Sequence, residues 1–280
     1  MKKIIVPIDF SEDSITALKK AIAIAGKMNA EITVVYVTKV KALASIFGGA
    51  KSEDNPKEIE ARFQELVKVI PHYGININYI YRTGNVSKEI CRLAEEQDAY
   101  LIVIGTHGTS GAEENAVGSN AYRVVKGAHC PVLAMRGDYK KEGIRKIVLP
   151  IDILPSTRQK MPFAVEMAQA YRAEVHVLGI LDMTRPELRN QVNSYVAQVC
   201  RYLDEFNIRF VDEEIDGANM PTITFDYVKK IDADLIIIMS EQDEKAVTIN
   251  GHAHHMVIDS PVPVISVHRD FKGESDFSIM

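Results

Sequence analysis

A glycine-rich segment in the middle of the chain has the residue types and spacing of a phosphate-binding loop. Its fixed points are Gly105, Gly108, Gly118 and Ser119, with nine residues between Gly108 and Gly118. The apolar run 101–104 before it is typical of a buried strand, and residues 120–125 after it are typical of a helix. Glycines let the backbone approach an anion closely, and the free N–H groups of a helix start favour negative charge. The pattern therefore predicts a phosphate site made of a strand end, a loop and a helix N-terminus.

Composition describes an ordinary globular protein with room for two domains, since the 280 residues are 46% hydrophobic and 25% charged. The net charge of −5 argues against a nucleic-acid binder. The three cysteines, Cys91, Cys130 and Cys200, are too widely spaced to indicate disulfides or a thiolate metal site.

The short apolar segment at the start is interrupted by Pro7 and Asp9, unlike a signal peptide. No apolar run reaches the roughly 20 residues of a membrane helix. We expect a cytoplasmic protein that does not contact a membrane.

The chain contains two copies of one unit. The strand-like segment 3–9, which ends in Pro-Ile-Asp, is repeated at 146–152. Three more segments match in the same order, namely 31–37 with 174–180, 101–104 with 235–238, and 130–133 with 262–265. Four matches in one order indicate a repeat. The predicted domains are 1–136 and 144–270, with a linker at 137–143 and a tail at 271–280.

The first copy carries an insertion between its second and third strands. The offset between copies falls from 143 residues at Asp9–Asp152 to 133 residues at Ile75–Ile208, so ten extra residues precede Ile75. The polar, glycine-containing stretch 41–56 is the predicted place for them.

Short apolar strands alternate with amphipathic helices in each copy, and Ser11 or Asp13 is the predicted cap of the first helix. This alternation predicts an α/β fold with right-handed crossovers and a parallel sheet covered on both faces. Ligands bind such sheets beyond the carboxyl ends of the strands, where the strand order reverses. Asp9 ends the first strand and Gly105 follows the fourth, so we expect both to face one crevice. A nucleophilic role for Ser11 and Ser14 beside Asp9 is possible in principle, but helix capping explains these serines more simply.

In these motifs the sequence resembles the universal stress protein family. The family pattern of Gly, two residues, Gly, nine residues, Gly-Ser is complete at 105–119, and the opening Val-Pro-x-Asp is present at 6–9. The Cys-Pro-Val sequence before the last strand is present at 130–132. The resemblance implies, for each of two tandem domains, a five-stranded parallel sheet in the order 3-2-1-4-5, with ATP or AMP bound at the strand ends. Pairing of two such domains, as an internal pseudo-dimer or in a homodimer, is a further implication.

The resemblance also assigns candidate ligand contacts. Asp9, preceded by Pro7 and Ile8, would lie on the ribose and metal side, and Val37 would meet adenine through its backbone. The remaining candidates around the ribose and phosphates are Gly105, His107, Gly108, Gly118, Ser119 and Asn120. For His107, loop packing and phosphate contact both stay open. Glu113 and Glu114 stand where the family often has a basic residue, so bridging Mg²⁺ or a weaker, AMP-type occupant is compatible with the sequence.

The second copy has lost this pattern. Met239 replaces Gly105, and Glu241 brings negative charge into the corresponding loop. We therefore expect no nucleotide in the second domain. His252 and His255 are three residues apart, with Asp259 four residues further on, and this spacing allows a Zn²⁺ site. Exposed histidines at a helix start, or histidines at a dimer contact, are the alternative interpretation.

The sequence leads to a first hypothesis of a non-enzymatic protein that responds to ATP or AMP bound in its first domain. Slow ATP hydrolysis or adenylyl chemistry is the second hypothesis, although the loop contains no lysine and the sequence places no base for water attack. A nucleotide-free interaction module, linked by metal through the histidines, is the third.

Overall fold

The chain forms two compact units, Met1–Asp138 and Tyr139–Met280. The computed structural model describes residues 1–38, 54–106, 119–181, 186–217, 219–240 and 250–268. Each unit alternates strands with helices, as the apolar patterns predict.

The elements of the first unit follow one another as strand, helix, strand. They are β1 (Lys2–Pro7), α1 (Glu12–Met28), β2 (Ala30–Thr38), α2 (Pro56–Val69), β3 (Ile77–Thr83), α3 (Val86–Glu96), β4 (Leu101–Gly105), α4 (Ser119–Gly127) and β5 (Val132–Met135).

The second unit repeats this succession with one change, a 3-10 turn before its first helix. Its elements are β6 (Lys146–Ile151), the 3-10 turn (Pro155–Arg158), α5 (Met161–Tyr171), β7 (Glu174–Leu181), α6 (Pro186–Glu205), β8 (Phe210–Asp216), α7 (Met220–Ile231), β9 (Leu235–Met239), α8 (Asn250–Asp259) and β10 (Val264–Val267).

Both units have the predicted parallel sheet. The strand order is β3-β2-β1-β4-β5 in the first unit and β8-β7-β6-β9-β10 in the second, which is 3-2-1-4-5 in each. All of these pairings are parallel. Right-handed crossovers then place the first two helices of a unit on one face and the last two on the other. In agreement, α3 packs against α4. The predicted fold class is confirmed.

The central strands form the core of the first unit. Ile4, Ile5 and Val6 of β1 and the run 101–103 of β4 have no exposed surface. Strands buried on both faces are continuous apolar runs rather than alternating ones, which explains their sequence.

The units differ in the connection between the second strand and the following helix. Residues 39–55 make this connection in the first unit, whereas 182–185 make it in the second. Most of the predicted insertion at 41–56 lies outside the described residues. What the structure describes begins again at Asp54, immediately before α2.

The second half of the predicted linker is bonded to the second unit. The Tyr139 hydroxyl donates to the Asp234 carbonyl at 3.0 Å, and Lys141 Nζ donates to Asp232 Oδ1 at 2.7 Å. Asp234 Oδ2 accepts from the backbone amides of Arg145 at 2.7 Å and Lys146 at 3.1 Å. Asp234 is buried, and it therefore orients the backbone that leads into β6.

Candidate functional site: the strand-end crevice of the first unit

The strand order of the first unit reverses at β1. This strand pairs with β2 on one side and with β4 on the other. Asp9 follows the end of β1, and Gly105 is the last residue of β4. Parallel strands bring their carboxyl ends to one edge of the sheet, so these two residues lie at the same edge, where a crevice for a ligand stays a prediction.

Asp9 organises the turn from β1 into α1. Its Oδ1 accepts from the Ser11 amide at 3.0 Å and from the Ser11 hydroxyl at 2.5 Å. The Asp9 amide donates to Ser14 Oγ at 3.3 Å, and Ser11 caps α1 by accepting from the Ser14 amide at 3.2 Å. Of the two predicted caps, Ser11 is the one used. Both serines have structural partners in this turn, which favours capping over a nucleophilic role.

The backbone of Val37 faces the crevice. The Ile8 amide donates to the Val35 carbonyl at 2.9 Å, and the β1–β2 ladder ends at the pair Pro7–Val35. Residues two apart on a strand point their N–H and C=O groups the same way. The N–H and C=O of Val37 therefore point towards the space beyond the end of β1. On the opposite edge β2 stays paired with β3 as far as Thr38.

Phe10 has a strained backbone next to Asp9. Its φ of 62° lies in the left-handed region, which bulky residues rarely adopt. The Arg62 guanidinium carbon lies 4.2 Å from the centre of the Phe10 ring, and the Tyr36 ring centre lies 5.9 Å away. Cation–π and ring contacts of this kind compensate part of the backbone strain and fix the ring at the rim of the crevice.

Asp54 binds hydroxyl groups from the ends of two strands. Its Oδ2 accepts from Tyr36 Oη and from Thr38 Oγ1, each at 3.0 Å, and its carbonyl accepts from Tyr81 Oη at 3.3 Å. We call these four residues the Asp54 hydroxyl cluster. Burial, followed by the hydrogen bond to the Asp54 carboxylate and its negative charge, raises the pKa of Tyr36 to about 12. The phenol proton therefore stays on Tyr36, and the carboxylate acts as acceptor.

Gly105 is required by helix packing. A Cβ at this position would lie 2.8 Å from the backbone carbonyl carbon of Asp13 and 2.9 Å from its oxygen. Such contacts are closer than non-bonded atoms allow, and α1 could not keep its place above β4. The sequence analysis assigned this glycine to close approach of a phosphate, and the structure adds a second reason that needs no ligand.

The predicted phosphate loop lies largely outside the described residues, since the structure describes the chain up to Thr106 and again from Ser119. His107, Gly108 and Gly118 are among the predicted site residues in this gap. The helix predicted after the loop is α4, which begins at Ser119, and Asn120 in its first turn is partly buried. The Thr106 amide donates to the Met135 carbonyl at 2.9 Å, which ties the start of the loop to β5.

The Asp54 hydroxyl cluster and the ring contacts of Phe10 were not predicted from the sequence. Tyr36 and Thr38 are polar residues two apart at the end of an apolar strand, and this alternation was a signal for one hydrogen-bonded face. Their partner Asp54 comes 16 residues after Thr38 in the chain. No local pattern predicts a pairing over that separation.

The second unit keeps the aspartate turn. The Leu154 amide donates to Asp152 Oδ1 at 2.9 Å, and the Asp152 amide donates to Thr157 Oγ1 at 3.4 Å. These bonds match those of Ser11 and Ser14 with Asp9 in the first unit. Asp152 alone therefore does not distinguish the two units.

A buried lysine changes the chemistry of this turn. Lys160, which occupies the position of Ala17 in the repeat, is 1% exposed. Its Nζ donates to the Pro150 carbonyl at 2.7 Å and to Thr157 Oγ1 at 3.2 Å. Burial lowers the pKa of Lys160 to about 8 against the opposing charge of Asp152, and burial raises the pKa of Asp152 against the opposing charge of Lys160. The second unit therefore has a cationic side chain of its own beneath the strand end.

Helix packing at the strand end also differs in the second unit. Met239 replaces Gly105, and the turn Pro155–Arg158 replaces the first turn of α1, so the corresponding helix begins only at Met161. Arg158 in that turn is 5% exposed, donates to Gln198 Oε1 and stacks 4.2 Å from the centre of the Tyr195 ring. A long side chain at 239 and the withdrawal of the helix start are thus two parts of one change.

The histidine cluster of α8 is partly engaged within its own helix. His255 Nδ1 lies 2.8 Å from Asp259 Oδ2. Across the described ranges, no three or more histidine, cysteine or carboxylate side chains are grouped so as to hold a metal ion. The described residues therefore give no complete ligand set for Zn²⁺ at His252 and His255, and Zn²⁺ binding there stays a prediction.

None of the helices in the described part of the chain combines the length and the apolar character needed to cross a bilayer.

Comparison with known proteins identifies a family model for the first unit and relatives that match about half of the chain. The model of the universal stress protein family matches residues 1–136. Universal stress protein MJ0531 of Methanocaldococcus jannaschii is 35% identical over 144 residues, which are 50% of this chain and 85% of that protein. Universal stress protein YxiE of Bacillus subtilis is 30% identical over 155 residues, which cover 48% of this chain and 98% of that protein.

A solved structure extends the fold similarity to both units. The universal stress protein from Archaeoglobus fulgidus DSM 4304 aligns with a TM-score of 0.71 and 17% identity over 95% of this chain and 98% of its own. At this identity the match speaks for the fold alone. Because the sequence identity to MJ0531 reaches 35% over 85% of that protein, and the strand order and the site motif agree, the chain belongs to the universal stress protein family.

Proposed function

We propose that this stress-response protein binds an adenine nucleotide, ATP or AMP, in the strand-end crevice of its first unit. In this proposal the second unit binds no nucleotide. Occupancy of the first unit regulates the protein, and hydrolysis is not part of its function.

The observation that carries the proposal is the backbone of Val37. β1 ends two residues short of it, so its N–H and C=O point towards the space beyond β1, beside Asp9. The Watson–Crick edge of adenine offers an acceptor at N1 and a donor at N6, which complement one N–H and one C=O. Guanine offers a donor at N1 and an acceptor at O6, the reverse pattern. A strand edge of this kind therefore favours adenine over guanine.

The opposite side of the crevice suits a phosphate tail. α4 begins at Ser119, directly after the glycine motif, and its first N–H groups have no carbonyl partners within the helix. A helix start of this kind favours anions through its free amides and its dipole. Asp9 at the end of β1 can accept hydrogen bonds from ribose hydroxyls or hold Mg²⁺ between itself and the phosphates.

Three differences support a nucleotide-free second unit. Lys160 is buried against the Asp152 turn, Met239 replaces Gly105, and Arg158 is buried between the 3-10 turn and α6. The buried cation beside the Asp152 turn competes with ribose hydroxyls and Mg²⁺ for this aspartate.

The repeat offers a matched pair of variants for the test. Asp9→Asn and Asp152→Asn remove one negative charge from equivalent turns and keep a side-chain oxygen for each turn. Titration calorimetry with ATP and AMP, each with and without Mg²⁺, should show binding to the unmodified chain with one site. Asp9→Asn should weaken it about tenfold or more, the effect of losing a charged hydrogen bond, and Asp152→Asn should not change it.

Two further measurements complete the test. Mass spectrometry of small molecules released by denaturation should find adenine nucleotide in the purified protein. Gly118→Arg, which puts a long side chain into the glycine motif, should remove it. If the purified protein contains no adenine nucleotide and titration gives no heat of binding, nucleotide binding is refuted. If the unmodified chain hydrolyses ATP and Gly118→Arg does not, the role is enzymatic rather than regulatory.

A further inference from the structure

The Asp54 hydroxyl cluster lies on the strand that presents Val37. Tyr36 and Thr38 flank Val37 in the sequence, and both donate to the same carboxylate oxygen at 3.0 Å. A single acceptor therefore binds the residue on each side of Val37.

The cluster also joins β2 to its neighbours. Tyr81 pairs directly with Tyr36 in the ladder between β2 and β3, and its hydroxyl donates to the Asp54 carbonyl at 3.3 Å. Asn55, the next residue, caps α2 by accepting from the Lys57 amide at 3.1 Å. Asp54 and Asn55 thus connect the start of α2 with the ends of β2 and β3.

The end of β2 needs such support because β1 gives none there. The β1–β2 ladder stops at Val35, so Tyr36, Val37 and Thr38 are held by β3 on one edge only. Thr38 is 3% exposed, and its hydroxyl has Asp54 as acceptor in this buried position. A hydroxyl in a buried position without an acceptor would be unfavourable, so the bond restrains the strand end.

We infer that Asp54 is a positioning residue for base selection, one that holds the N–H and C=O of Val37 at the spacing that distinguishes adenine from guanine. This inference rests on the proposed function, because it concerns the same nucleotide site. In this inference Asp54 acts on the base through the strand, by its bonds to Tyr36 and Thr38. Loss of Asp54 should therefore reduce base discrimination and leave the phosphate contacts, which belong to α4 and the glycine motif, as they are.

The test compares Asp54→Ala with Asp54→Asn in the full chain. The amide oxygen of asparagine can still accept both hydroxyls, whereas alanine cannot. The readouts are the dissociation constants of ATP, GTP and tripolyphosphate. For Asp54→Ala the preference for ATP over GTP should fall about fivefold or more, which corresponds to about 1 kcal/mol, while the tripolyphosphate constant stays unchanged. Asp54→Asn should restore most of the preference, and Asp212→Ala, at an exposed carboxylate of the second unit, should keep all of it.

A second variant tests the same inference if Asp54→Ala does not fold. The double variant Tyr36→Phe with Thr38→Val removes the two donors and keeps the acceptor, and it should give the same loss of preference. An unchanged ratio of ATP to GTP affinity in a folded variant would overturn the inference alone. A parallel loss of tripolyphosphate affinity would also overturn it, since that result indicates general damage to the site. Failure of the unmodified chain to bind any adenine nucleotide would overturn the proposed function and this inference together.

Discussion

Gly105 and Asp13 touch through their backbones. A Cβ on Gly105 would lie 2.8 Å from the Asp13 carbonyl carbon, so the first turn of α1 rests directly on the last residue of β4. Gly137 also lies close to Asp13, since a Cβ added there would be 3.1 Å from the Asp13 Cα. Two glycines therefore pack against the start of α1, one at the end of β4 and one after β5.

Gly105→Ala should destabilise the first unit even without nucleotide. The added methyl group meets backbone atoms, which cannot rotate away, and overpacking of this kind costs about 1–3 kcal/mol. Chemical denaturation of the nucleotide-free protein measures the loss. Gly143→Ala is the matched control, because among the described residues no atom apart from those of its chain neighbours lies within 4 Å of the Cβ that it would add. A Gly105→Ala protein of unchanged stability with reduced ATP affinity would instead assign this glycine to the ligand.

Much of the fold follows from apolar runs and their order. The runs 4–8 and 101–104 are continuous and apolar because β1 and β4 are buried on both faces, and the repeat predicts the same sheet twice. The position of Asp9 at a strand end also follows from the sequence, since the polar residue comes directly after the apolar run. Local patterns determine these features, and local patterns are what a single sequence contains.

The details that depend on distant contacts do not follow from the sequence. Asp54 binds Tyr81 from 27 residues away, and Lys160 looks like one more polar residue before an apolar helix until its burial is known. The glycine spacing matches a ligand motif and therefore predicts a phosphate contact for Gly105. Its contact with Asp13 is visible only after α1 has been placed on the sheet.

Asp234→Ala should release the chain segment that enters the second unit. Asp234 Oδ2 accepts from the amides of Arg145 and Lys146, and both would lose their acceptor in a site where the side chain is 2% exposed. Loss of the acceptor for two partly buried amides should cost about 1 kcal/mol, and the amide protons of these two residues should exchange faster. Hydrogen exchange with mass spectrometry checks this. Lys141→Met removes the lysine bonds to Asp232 and to Asp234 Oδ1 but leaves both amide bonds to Asp234 Oδ2 in place, so it should change exchange much less. Equal effects of the two variants would contradict the role of the Asp234 Oδ2 bonds.

His176, a buried histidine of the second unit, should make the protein less stable in mild acid. His176 Nδ1 lies 3.0 Å from Tyr227 Oη and Nε2 lies 3.1 Å from Glu174 Oε1, and burial lowers the pKa of His176 despite the nearby carboxylate. The unfolded chain therefore binds more protons at this residue, and the free energy of unfolding should fall as pH drops from about 7 through the ordinary histidine pKa near 6.5. His176→Gln should reduce this fall, whereas His255→Gln, at an exposed histidine, should retain it. Identical pH profiles for all three proteins would be evidence against this account.

Lys160 should make the free energy of unfolding depend on pH in the alkaline range. Burial lowers its pKa to about 8 in the folded chain, while the unfolded chain has the ordinary value of 10.5, so between these values the unfolded state holds more protons. Stability from this group therefore rises with pH across that window and is lowest below about pH 8.

Lys160→Met removes the titration and keeps an apolar side chain of similar length. Relative to this variant, the unmodified protein should gain free energy of unfolding on the order of 3 kcal/mol between pH 7.5 and pH 10.5. The comparison of two proteins cancels the cysteine and tyrosine titrations, which occur in both. Denaturant unfolding at a series of pH values measures the difference. If the two proteins differ by the same free energy of unfolding at every pH in this range, Lys160 keeps its ordinary pKa in the folded chain. Its ammonium group beside Asp152 would then have to be accessible to water.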